Sequence, residues 1–355
     1  MSYDVVRRFP NSGGVISEIG YVFKLASSSD HLLAAAEDLS LRLIDLNTFQ
    51  MVRQVVPSHD RTITDIQNVP DSVTGCASGS VYISSSVDGL VKIWDMRRDD
   101  PCVISIRLSV NNLDAPVFAA AVSAAGTCAG SCGNEISLFD FGVWKQRFKY
   151  TEVHMDNVSC LYWLDDGKYL VSGGDDGLVN VLDVSDLVNE DDGQCPKITF
   201  NTEDAVRSVY SSGGGMSVFS TTETCTVWDI FSGAKIATNS VRLDPILASG
   251  NATFDSTLDP TFGYYVGQHD NNILAGNSLG KLVTVDAVTG VTTGVFAPTG
   301  HAGVVRSAVF TKDRKIITAG EDGYINEWAP TGNFGESPIR VSNKPKLATT
   351  TTRPY

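Results

Sequence analysis

The sequence has no apolar run long enough to cross a bilayer, since its most apolar stretch, Ala115–Ala125, is too short and too interrupted. The opening Met-Ser-Tyr-Asp-Val-Val-Arg-Arg also lacks the apolar core of a secretory signal. Both absences predict an intracellular protein of cytoplasm or nucleus that does not enter a membrane. Cysteine is sparse and odd in number, seven without paired spacing. That excludes a disulfide framework and fits small core residues in a reducing compartment. Asn157-Val-Ser and Asn251-Ala-Thr match the glycosylation pattern without a secretory signal to go with it. The five histidines form no cluster at metal-ligand spacing, and His31 and His269 stand singly near turns. No metal and no other cofactor is expected.

Positive charge is also in short supply: 27 Lys and Arg stand against 41 Asp and Glu, for a formal net charge of -14. Residues 331–355 hold four basic residues and one acidic one, so removing their +3 leaves -17 on residues 1–330. Binding a phosphate backbone needs a Lys/Arg-rich surface that releases counterions, so no direct contact with nucleic acid is expected. The charge favours a basic protein as partner. With 42% hydrophobic residues and a mean hydropathy near zero, the chain can bury a large core.

What is present is a repeat. Small or hydroxyl residues, an acidic or glycine turn and alternating apolar residues lead to an aromatic or aliphatic residue followed by Asp. The phrase closes at Ile44-Asp45, Trp94-Asp95, Phe139-Asp140, Leu182-Asp183, Trp228-Asp229, Val285-Asp286 and, with Ala in place of Asp, Trp328-Ala329. Closures 43 to 57 residues apart leave room for four short strands per unit. Alternation supports strands: Leu90, Lys92 and Trp94 point one way, Val91, Ile93 and Asp95 the other. Turn clusters such as Asp165-Asp166-Gly167, Ser211–Gly215 and Thr311-Lys312-Asp313 fall where hairpins must reverse.

Gly300-His301, Thr318-Ala-Gly-Glu-Asp322-Gly and Trp328 resemble the WD40 repeat, whose blades join a His, a Ser/Thr, an Asp and a Trp in one hydrogen-bond network. The resemblance implies an all-β, seven-bladed propeller of four-stranded antiparallel blades spanning residues 1–330, with 331–355 as a flexible basic tail. Full tetrads are His59, Ser84, Asp88, Trp94 and His301, Thr318, Asp322, Trp328. Blade four has His154, Ser172 and Asp176 but Leu182 where the indole belongs, and the other four blades are degenerate. More narrowly, the blade-four and blade-seven segments resemble the WD repeat-containing protein 89 family, which implies a stand-alone propeller without recognised enzymatic activity. Ring closure is expected from Tyr3–Phe9 as outer strand of blade seven, with Pro338–Val341 as the rival clasp.

Three patterns invite a catalytic or ligand reading. Ser84, His59 and Asp88 have the composition of a hydrolase triad, but the set recurs at matching offsets in blades two, four and seven, whereas a catalytic constellation is normally built once. Gly276-Asn-Ser-Leu-Gly280-Lys281-Leu282 has one residue too few for a phosphate loop and Leu where Ser/Thr should hold magnesium, so it reads as a strand turn. Cys128 and Cys132, placed in the inner-strand region of blade three, have no second Cys/His pair and read as core.

The candidate docking surface follows from radial repetition. Glu37, Asp175 and Glu321 each directly precede the turn Asp of their repeats. By resemblance to WD-repeat proteins that rim and the starts of the innermost strands form the docking face, which adds Asp60, Asn157 and Glu203. The insert Asp186–Asp192, with Glu190, Asp191 and Asp192, suits a Lys/Arg-rich ligand. Gly250–Asp270 offers Phe254, Phe262, Tyr264 and Tyr265 as aromatic anchors. The expected function is a non-catalytic scaffold or adaptor for a basic protein. That partner could be a ribosomal protein or histone kept soluble during assembly, with the chain a monomer or a subunit of a larger hetero-complex. The alternative is a propeller hydrolase or lactonase, which would need a metal cluster or an unrepeated acid/base pair in the channel.

Overall fold

A computed structural model describes residues 1–9, 20–75, 79–108, 115–164, 167–185, 196–212, 215–240, 263–297, 300–311, 313 and 315–331. Among these, the chain is strand and turn apart from the four-residue helix Asp71–Thr74. The strands form five four-stranded antiparallel sheets over 22–55, 63–107, 117–150, 158–201 and 206–240, and one eight-stranded sheet. That larger sheet is two quartets. One spans 264–296; the other is made of Val305–Phe310, Ile316–Gly320, Ile325–Thr331 and the N-terminal strand Ser2–Phe9. They meet where Ser2 and Tyr3 lie parallel to Val295 and Phe296. Ser2–Phe9 runs antiparallel to Ile325–Thr331, so the first and last described strands share one sheet. Pro338–Val341 lies outside the described residues.

Because both faces of each sheet are covered, burial exceeds what alternation alone prescribes, and Val81–Ser86 and Thr127–Cys132 are buried at every position. In Leu90–Asp95, Val91, Ile93 and Trp94 are buried while Leu90, Lys92 and Asp95 are half-buried. Apolar side chains collect between sheets, in seven clusters each shared by two neighbouring quartets among the described residues. The first quartet packs Val22, Leu32 and Ile44 against Ile317, Ala319 and Ile325 of the last, so the sequence of contacts returns on itself. Sheets that each bury both faces against a neighbour close into a ring without an exposed hydrophobic face. This is the β-propeller arrangement, with the first strand of each quartet innermost.

The turns explain two recurring residue types. In the reversal between second and third strands, Gly89, Gly177 and Gly323 take φ of 81°, 77° and 74°, the left-handed region where a Cβ is costly. Leu39 and Glu223 occupy the matching positions in the first and fifth quartets at φ 61° without that freedom. The Asp that ends most repeat phrases caps the turn after the third strand: Asp45, Asp229 and Asp286 each accept two backbone N–H groups and one hydroxyl.

Candidate functional site: polar tetrads beneath an acidic rim

Strand register builds the tetrad. Ser84 lies opposite Lys92 and Tyr82 opposite Trp94, so the hydroxyl and the indole come to one side of the second sheet. Asp88 sits in the reversal and His59 just before the innermost strand. The ring Nδ1 of His59 is 2.9 Å from Asp88 Oδ2, its Nε2 is 2.6 Å from Ser84 Oγ, and Trp94 Nε1 donates to the same Oγ at 2.8 Å. The last quartet repeats this: His301 is 2.9 Å from Asp322 and 2.7 Å from Thr318, and Trp328 donates to Thr318 at 2.7 Å. Since the indole can only donate, each hydroxyl oxygen accepts from it while also facing the imidazole Nε2, and Nδ1 faces the carboxylate.

Burial raises the Asp88 carboxyl, but the hydrogen bond and charge of His59 and two backbone N–H groups outweigh it and hold the group at about 2. Asp322 is lowered against the same opposition, by His301 and the N–H groups of Ala302 and Tyr324. The order Ser–His–Asp is that of a hydrolase, yet Ser84 is 1% exposed and its oxygen is already occupied by the indole. A nucleophile needs an approach for substrate, and none exists here.

In the fourth quartet His154 is 3.1 Å from Asp176 and 2.8 Å from Ser172, with Leu182 buried at the indole position. A residue that the sequence reading passed over adds a bond here. Asn180, opposite Ser172 in the ladder, donates through Nδ2 to the Val153 carbonyl at 2.6 Å. Lys92 reaches the Ser58 carbonyl at 2.7 Å and Asn326 the Gly300 carbonyl at 2.7 Å from the equivalent positions. Each ties down the residue just before the tetrad His. The signal was present: a long polar residue two places before Trp94, Leu182 and Trp328.

The rim residues share one end of the sheets. The backbone N–H groups of Glu37, Asp175 and Glu321 donate to the carbonyls of Tyr21, Asn157 and Val304 at 2.8, 2.8 and 2.9 Å, each beside the start of an innermost strand. Glu37, Asp60, Asp175 and Glu203 are exposed and Asn157 is half-buried, its Nδ2 3.3 Å from Asp175. Glu321 differs in chemistry, because its Oε1 accepts from both Nε and Nη2 of Arg306. It is a paired acid rather than a free one. Glu190, Asp191 and Asp192 lie outside the described residues, as do Phe254 and Phe262. Tyr265 packs in the core between fifth and sixth quartets, and the Tyr264 hydroxyl donates to the Asn277 carbonyl and accepts from the Val305 N–H, so neither ring is a free anchor.

The remaining motifs are structural. Gly276–Leu282 joins two strands, with Asn277 Oδ1 accepting the N–H groups of Leu279 and Lys281. Cys128 and Cys132 lie on Thr127–Cys132, the second strand of its quartet and not the innermost one. The pair packs in the core, and burial pushes the Cys128 thiol up to about 12. Among the described residues, no three His, Cys, Asp or Glu side chains are grouped to hold a metal, and no helix is long and apolar enough to cross a membrane.

Three stretches, 51–95, 145–183 and 291–329, match the WD domain, G-beta repeat family. They are the three repeats that carry a His–Ser/Thr–Asp constellation. The chain is also similar to the WD repeat-containing protein GTS1 of Arabidopsis thaliana, 26% identical over 199 residues that make up 53% of this chain and 47% of that protein. The match spans about half the length of that relative.

Proposed function

The chain is a WD40-repeat protein, and we propose that it works as a non-catalytic, seven-bladed scaffold whose acidic rim docks a basic segment of a protein partner. WD40 repeats mark protein-interaction scaffolds in general; the acidic docking face is read from the residues of this chain. One observation carries the reading. Glu37 and Asp175 occupy the same turn position in two blades, Asp60 and Glu203 stand at the entries to two innermost strands, and all four are exposed at one end of the sheets. Like charges held on a rigid rim repel one another, a cost that an incoming cationic segment relieves. A basic protein kept soluble during assembly, such as a ribosomal protein or a histone, fits that chemistry. The hydrolase or lactonase alternative has no observation to favour it, since the hydroxyls of Ser84 and Ser172 are sealed in the tetrads.

The test is capture of partners by the wild-type chain and by a variant with Glu37, Asp60, Asp175 and Glu203 changed to Lys. Rim charges act mainly on encounter, so the variant should associate more slowly with a weaker salt dependence and an unchanged melting temperature. Wild-type affinity in the variant at low salt would move the docking surface elsewhere.

A further inference from the structure

At the end of the sheets away from the acidic rim, blades one, three, five and six make the same turn after their third strand. In each, the N–H of the fourth residue past the repeat Asp donates back to the Asp carbonyl: Phe49 to Asp45, Trp144 to Asp140, Gly233 to Asp229 and Gly290 to Asp286. All four residues take a left-handed φ, of 56°, 55°, 71° and 70°. The repeat thus supplies its own control for what this turn needs.

Blades one and three put an aromatic residue at the left-handed place and pack it: Phe49 is buried, and Trp144 is half-buried against the core between blades two and three. The residue two past the Asp is then Asn47 or Gly142, and the residue five past it is Gln50 or Lys145. Blades five and six reverse the choice. Glycine takes the left-handed place, while Phe231 and Val288, two past the Asp, and Ala234 and Val291, five past it, stand in solvent. Phe231 is 68% exposed, Val291 57% and Val288 40%. The turn does not need these side chains, because the Asp carboxylate caps its N–H groups in all four blades and two of the blades close without them. The exposed Ile236 beside them has counterparts, since it is the bulged residue of an outer strand, as Val6, Val52 and Val103 are in blades seven, one and two.

The two turns are neighbours: Asn239, on the outer strand of blade five, donates to the carbonyls of Ala287 and Val288 in the turn of blade six. Apolar groups that are exposed on adjacent blades and serve neither of them mark a contact surface. Local charge selects its partner. Residues 229–240 and 286–293 carry Asp229, Asp286 and Lys235 and no other charged side chain, -1 in a chain of -14. A two-fold contact lays a surface on its own copy, and copies of so acidic a chain repel wherever acids face acids. The rim would repel itself; this surface would not.

We propose that these turns of blades five and six form the interface of a homodimer, with Phe231 of each copy packed on Val288 and Val291 of the other. The partner is a second copy of this chain, met through apolar side chains at the end of the sheets opposite the acidic rim. The inference does not depend on the rim reading, because none of Glu37, Asp60, Asp175 or Glu203 takes part in the contact. Together with that reading it makes the assembly bivalent, since two rims then face away from one interface.

The experiment is sedimentation equilibrium of the full chain over about 1–100 µM, the range in which a small interface assembles. The wild-type chain dimerises at the upper end, and added salt tightens the dimer by screening the repulsion between two acidic bodies. Phe231→Asp weakens association by about thirtyfold, the loss of a hot-spot side chain, and leaves the melting curve in place because the ring is exposed. Should Phe231→Asp fold poorly, Val288→Asp in the neighbouring turn answers the same question. A wild-type monomer at every concentration, a dimer that survives both substitutions, or a dimer that salt dissociates would each overturn the proposal. A monomeric wild-type chain that needs Phe231 to retain a different protein would also overturn it, assigning the surface to that protein. A failed rim variant with an intact dimer would count against the rim alone.

Discussion

Arg7, on the first strand, holds Glu327, on the last described strand, in a two-pronged ion pair, with Nη2 2.6 Å from Oε1 and Nε bonded to Oε2. The same guanidinium donates to the carbonyls of Leu46 and Asn47 at 2.7 Å each and lies over Phe49. One side chain thus ties together the N-terminal strand, the last blade and the first. Glu327 is 2% exposed and also meets Lys315 at 3.2 Å. Removing one member of a buried pair leaves the others without their partner, so Arg7→Ala should cost about 2–4 kcal/mol, the lower end reflecting the part-exposed Arg7. Chemical denaturation would read it as a fall in midpoint. An unchanged midpoint would mean that the antiparallel ladder closes the ring unaided.

Acid should unfold the protein through the same kind of group. Asp88, held at about 2, and Asp322 and Glu327, also lowered, bind their protons more weakly folded than unfolded. A depressed folded value gives stability that is fully present above the unfolded value of about 4 and lost as pH falls through the folded one. For Asp88 the window runs from about pH 4 down to about 2 and is worth roughly 2 kcal/mol. Thermal melts across that range should show Asp88→Asn with a shallower dependence on pH than the wild type. Parallel curves would place the acid sensitivity elsewhere.

Ser84→Ala leaves the Trp94 indole N–H and the His59 Nε2 without a partner in a dry site. A loss of about 1–3 kcal/mol is expected, with partner binding retained. Loss of binding at an unchanged melting temperature would give the tetrad a direct functional role.

Asn180→Leu isolates the part played by the position beside the tetrad. It frees the Val153 carbonyl and the Thr199 hydroxyl, which now bond the amide at 2.6 and 2.7 Å. The expected cost is about 1–3 kcal/mol, comparable to Ser84→Ala. A neutral result would show that the polar residue two places before the indole position contributes no stability.

What the sequence by itself determined is what repeats. Spacing and alternation are local, so the strand quartets and the offsets of His59, Ser84, Asp88 and Trp94 could be read from the chain. Leu182 could be recognised as an absent indole because two complete repeats defined the position. Turn residues were legible for the same reason, since Asp before Gly in a reversal is a demand of φ and of orphan N–H groups, both set within a few residues. Side-chain pairing was another matter. Glu321 looked identical to Glu37 and Asp175 in the repeat, and only the folded sheet brings Arg306, 15 residues earlier on the neighbouring strand, onto its carboxylate. Lys24, Arg207 and Arg306 are scattered over the whole chain and converge because innermost strands of different blades face one axis. A repeat specifies its own blade by short-range rules, while the charge of the channel and the closure of the ring arise from side chains that meet only when the ring is complete.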